Sequence, residues 1–106
     1  MKYPSATTSN VTMLAARVRI PPHVVCRAFA HETVVLNLET GTYHGLDPVG
    51  ARILDALERS TSVGEAAAEI AATYQRPLSE IEQDVCDFCA ELSKRGLISI
   101  DGNGVS

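Results

Sequence analysis

The spacing of apolar and polar positions changes near residue 47. Between residues 23 and 46 the apolar residues fall in short, β-branched runs. Residues 23–29 (HVVCRAF), 33–38 (TVVLNL) and 42–46 (TYHGL) predict three strands. Glu39-Thr40-Gly41 predicts a hairpin turn between the last two, with Gly41 available for positive φ. A two-residue turn would pair Leu38 with Tyr43. A three-residue turn with a bulge would pair Asn37 with Tyr43. The pattern does not choose between them.

From Asp47 onward the period lengthens to that of a helix. Asp47-Pro48 predicts an N-cap followed by Pro in the first helical position. Val49, Ile53, Leu54 and Leu57 would be the buried stripe of this first helix, which ends near Ser60. Ser62 and Glu65 fit a capping box and open a second helix. Its inward positions would be Val63, Ala67, Ile70, Ala71 and Tyr74, and Pro77 stops it. Ser79 and Glu82 repeat the capping-box spacing and open a third helix to about Arg95. Ile81, Val85, Phe88 and Leu92 form its apolar stripe. Lys94 and Arg95 complement the negative end of the helix dipole, and Gly96 suits the residue just past it. Residues 1–16 are polar and unpatterned and are expected to be a flexible arm. Residues 17–100 would be the folded domain, and 101–106 a flexible tail.

These elements predict an α+β fold: an N-terminal three-stranded antiparallel sheet followed by a three-helix, winged helix-turn-helix-like bundle. The chain's 106 residues suffice for one domain, and 45% apolar content can supply its core without a staple. Three cysteines are an odd set for a disulfide framework and point to a reducing compartment, so a cytoplasmic location is expected. No secretory signal and no membrane-spanning run of about 18 apolar residues is visible.

Charge narrows the function. Residues 1–46 hold four basic and two acidic side chains, a net of +2. Residues 47–106 hold five basic and eleven acidic ones, a net of −6. The third helix is where a helix-turn-helix protein would read DNA. Over 79–95 it carries five acidic and two basic residues, which would repel phosphate. No nucleic-acid partner is expected, although a winged-helix transcription regulator is the alternative the fold allows.

Catalytic signals are weak. No nucleophile elbow, phosphate loop or metalloprotease motif is present. Cys86 and Cys89 form a C-x-x-C, but in mid-helix rather than at the helix N-terminus that lowers a thiol pKa. The three histidines have no ligand spacing. The expectation is no enzyme activity, no metal and no cofactor.

Residues 34–54, reading VVLNLETGTYHGLDPVGARIL, resemble the core of the PqqD-like family. The run Ile81-Glu82-Gln83-Asp84-Val85, then Phe88, Leu92 and Arg95-Gly96-Leu97-Ile98, extends the resemblance over about residues 20–100. The C-x-x-C departs from the family pattern. The likeness is to the precursor-peptide recognition elements of ribosomally made, modified peptides, above all the stand-alone form of lasso-peptide clusters. It implies a non-catalytic domain that binds a leader peptide as an added antiparallel strand between the third strand and third helix. The complex would be presented to a separate leader peptidase and a cyclase. A PqqD-type partner of a radical enzyme in quinone-cofactor biosynthesis is the related alternative. By family position the docking strand would be Tyr43, His44, Gly45 and Leu46. From the third helix Glu82, Val85, Cys86, Phe88 and Cys89 are the candidates. Glu82, Cys86 and Cys89 flank one side of the apolar stripe and Asp84 and Phe88 the other, and the sequence does not say which flank faces the sheet. An open sheet edge would also permit a homodimer.

Overall fold

The computed structural model describes residues 6–101. Helix α1 (Ala6–Ala15) leads into β1 (Arg17–Arg19). Strands β2 (Val24–Ala28), β3 (Thr33–Asn37) and β4 (Tyr43–Leu46) follow. Then come α2 (Pro48–Arg59), α3 (Val63–Tyr74), α4 (Leu78–Lys94) and β5 (Ser99–Asp101). The fold is α+β. Its main sheet is antiparallel, in the order β2-β3-β4, so β4 is an edge strand.

The sheet is not confined to the N-terminal half. β1 pairs antiparallel with β5 in a second, two-stranded sheet, with Val18 opposite Ile100. Arg19 and Asp101 add an exposed ion pair at 2.6 Å. Residue 101, expected in a flexible tail, is therefore the last residue of a strand. Residues 102–106 and 1–5 lie outside the described residues. The expected flexible arm instead contains α1, packed beside α3 and α4. The carbonyl of Ala16 accepts from Val63 N–H at 2.8 Å, and Ala16 is buried.

The hairpin adopts neither expected register. Leu36 faces Tyr43 and Val35 faces His44, so the loop has four residues, 38–41. The cause is Asn37. Its Oδ1 accepts from the backbone of Glu39 at 2.8 Å and Thr40 at 3.1 Å, an Asx turn that uses the loop's own donors. Gly41, at φ +80°, then returns the chain.

Asp47 caps α2 as expected, accepting from Gly50 N–H at 2.8 Å. Ser62 caps α3, accepting from Glu65 N–H at 3.0 Å. The returning Glu65 carboxylate reaches Thr61 N–H at 2.6 Å, one residue earlier than a regular capping box. The Ser79 box does not form. α4 starts at Leu78 with Pro77 in the cap position, so Ser79 is already inside the helix.

The core lies between the main sheet and the helices. It includes Val35, Leu46, Leu54, Leu57, Ile70, Val85, Leu92 and Leu97. Two expected core residues are displaced: Val49 is 45% exposed and Tyr74 39% exposed. Ala56 and Ala66, outside the expected stripes, are fully buried and small enough for close approach of α2 and α3.

Candidate functional site: an open strand edge beside an apolar trough

The register fixes which groups β4 offers to solvent. Asn37 N–H donates to the Thr42 carbonyl at 2.8 Å. Antiparallel pairs alternate between bonded and non-bonded residues. Thr42, His44 and Leu46 therefore turn their backbone groups toward β3. Tyr43 and Gly45 turn theirs toward the open edge. The alternation also sorts the side chains. His44 and Leu46 share the inner face with buried Val35, and Tyr43 stands on the outer face, 66% exposed.

Beneath that edge runs a trough. One part, about 310 Å³, is lined by His44, Leu46, Val49, Gly50, Ile53 and Phe88. A second part, about 250 Å³, is lined by residues including Val49, Ile53, Ile70, Ile81 and Val85, with Tyr74, Arg76 and Asp84. Val49 and Ile53 belong to both, so the two parts adjoin across α2. Apolar walls beside unpaired backbone groups are what a strand-addition site for an extended peptide needs. In such a site an edge supplies sequence-tolerant hydrogen bonds and a trough receives alternate side chains.

The structure also decides between the flanks of α4. Asp84, Val85 and Phe88 line the trough. Glu91 continues this flank and lies close enough to His44 for their charges to interact. The Arg95 guanidinium, at 2.6 Å, holds the Glu91 carboxyl below the usual carboxylate range, with smaller help from Lys94 and His44. Of the helix candidates, then, Phe88 stands beside the edge residues His44, Gly45 and Leu46, and Val85 lines the adjoining part of the trough. Glu82, Cys86 and Cys89 line neither part of the trough. Cys86 and Cys89 are buried in the core on the other flank. Burial pushes the Cys86 thiol up to about 11, with Asp87 and Glu82 adding to it, and the Cys89 thiol up to about 12. Such thiols resist ionisation, the opposite of a redox pair.

Sequence reasoning did not single out Val49, Ile53, Tyr74, Arg76 or Asp84 as site residues. Val49 and Tyr74 carried a signal in hindsight: both are large apolar positions at the border of an amphipathic stripe. Among the described residues no cluster of three or more His, Cys, Asp or Glu could hold a metal ion, and no helix is long and apolar enough to cross a membrane.

Fold and site together define a small α+β domain with one sheet edge left open over a helix-walled trough. The family of Coenzyme PQQ synthesis protein D (PqqD) matches residues 32–98. A PqqA binding protein of Rhizobium meliloti (strain 1021) is 31% identical over 97 residues, covering 92% of this chain and 93% of the relative. The chain belongs to the PqqD family. Among solved structures it is similar to TbiB1 in complex with the TbiA(beta) leader peptide: 37% identity, TM-score 0.70, covering 76% of this chain and 94% of that one. It also shares its fold with lasso peptide synthetase B1 complexed with the leader peptide, at TM-score 0.72 and 20% identity, covering 78% and 98% of the two chains.

Proposed function

We propose that this protein is a non-catalytic recognition element for the leader segment of a ribosomally made precursor peptide. The leader pairs as an added antiparallel strand with Tyr43 and Gly45. Its inward side chains enter the trough between β4 and α4. The complex is then presented to a separate leader peptidase and a lasso cyclase in the cytoplasm. The observation that carries this reading is the coincidence of the outward Tyr43 and Gly45 backbone with the Phe88, Val49 and Ile53 walls. The 37% identity to a leader-bound relative supports it. A winged helix-turn-helix regulator would use α2–α4 to read DNA, but the acidic α4 favours a peptide over a duplex.

A second reading rests on the 31% identity to a PqqA binding protein. Here the bound leader would serve a radical enzyme of quinone-cofactor biosynthesis. Fluorescence anisotropy with labelled leader segments from short reading frames neighbouring the gene tests both. Saturable binding with Kd on the order of ten micromolar or tighter is expected. An intact leader that gives no signal at that protein concentration overturns the proposal. The identity of the bound precursor separates the two readings.

A further inference from the structure

We propose that Asp84 makes this protein selective for leaders carrying a Lys or Arg beside the apolar residue that enters the α2–α3–α4 end of the trough. The inference rests on the peptide-binding reading above and specifies its substrate class. The inner walls there, Ile53, Ile70, Ile81 and Val85, are buried and apolar. Tyr74, Arg76 and Asp84 are exposed and form the mouth.

The charges at the mouth do not cancel. Arg76 is held by Glu80 in a close ion pair one turn away. At the other end of the trough Glu91 is held by Arg95. Asp47 is occupied as the N-cap of α2. Asp84 has no cationic partner among the described residues. One uncompensated carboxylate therefore sits at the rim of an apolar cavity. An anion would be repelled there. A neutral peptide would leave the carboxylate merely solvated. A Lys or Arg can lay its aliphatic stem along the apolar wall and bring its charge to Asp84. A rim charge of this kind sets partner choice and association rate more than total affinity.

The test is selection of a randomised twelve-residue peptide display library on the wild-type protein, on Asp84→Lys and on Glu58→Lys. Glu58 is an exposed acid of α2 whose charge is felt by Cys26 on β2, away from the β4 edge, so its reversal makes the same change in net charge elsewhere. Wild-type selection should enrich Lys or Arg at a fixed spacing from an apolar residue, and so should Glu58→Lys. Asp84→Lys should lose that preference or replace it with Asp or Glu. Exchanging the selected Lys for Glu in a wild-type binder should weaken it about fivefold at low salt, and less in high salt. Binders without a basic preference overturn the inference and leave strand addition standing. So does the same change of preference in both variants, which would make net charge the cause. If no peptide is enriched on the folded wild-type protein, the inference and the leader-binding reading fall together.

Discussion

Asn37 donates through Nδ2 to the carbonyl of Gly96 at 3.0 Å, tying the hairpin end of the main sheet to the turn that ends α4. The approach is close on both sides. Gly96 holds φ +73°, and a Cβ there would come within 3.2 Å of the Asn37 nitrogen. These two segments carry the opposite walls of the trough, so one buried amide helps to set their spacing. Asn37→Ala should cost about 1–3 kcal/mol in urea unfolding, from the lost amide bonds and the backbone groups left unpartnered. Asn37→Asp keeps an acceptor for Glu39 and Thr40 but faces Gly96 with an oxygen. It should leave the turn intact while still weakening peptide binding.

Gly45 tests the docked strand. Gly45→Pro removes an edge donor and should abolish strand addition in a protein that still folds. Gly45→Ala keeps the donor. Its Cβ would meet the Glu32 carboxylate oxygen at 2.7 Å, the far end of a flexible side chain that can swing away. Equal affinities for the two variants by anisotropy would rule out pairing at this position.

Phe88 is half-buried at the wall of the trough. Phe88→Ala should therefore cost less stability than a fully buried Phe, about 1–2 kcal/mol, while weakening the peptide complex about tenfold or more. Paired urea melts and anisotropy titrations measure both. Loss of stability with unchanged affinity would make Phe88 a core residue only.

The cysteines predict a pH response. The folded thiols of Cys86 and Cys89 titrate at about 11 and 12, above the ordinary value of 9.0. Between pH 9 and about 12 the unfolded chain loses these protons first. Stability is therefore full below pH 9 and falls as pH rises through that range. Cys86→Ala with Cys89→Ala should flatten the fall and leave peptide binding intact. At pH 8, iodoacetamide should label half-buried Cys26 well before either helix thiol.

The two Ser-x-x-Glu sequences should behave differently. Ser62→Ala should cost about 1 kcal/mol of stability because it removes the α3 cap. Ser79→Ala should cost only a few tenths, because Ser79 caps nothing. Denaturant midpoints of the two variants decide the matter.

The elements with a strong period were legible in the sequence. The three strands of the main sheet and the last three helices stand close to their expected places. Asp47 and Ser62 mark two of the helix starts, and Gly96 marks the end of α4. What was hidden depends on partners distant in sequence. β1 is three residues long, and its meaning comes from β5, which pairs Arg17 with Asp101. The Ser79 box looks like the Ser62 box, but Pro77 already sets the start of α4. The hairpin register was overridden by one side chain, since Asn37 satisfies the loop from within. The flank of α4 that walls the trough follows from tertiary packing, for which the two sides of its apolar stripe look alike. Hence Asp84 and Phe88 could not be separated from Glu82, Cys86 and Cys89 by spacing alone.

The alternation along β4 has a metric consequence. Only Tyr43 and Gly45 present backbone groups outward, and a strand docked on them must keep its own alternation in phase with the trough. Sliding it by one residue would turn every inward side chain out to solvent. The smallest shift that preserves the fit is two residues, about 6.8 Å along the strand. Under the proposed strand addition the edge would act as a ruler with two-residue graduations. A precursor lengthened by two residues beyond its docked strand can move back by one mark, whereas one lengthened by a single residue must absorb the difference in the chain between the ruler and its processing point.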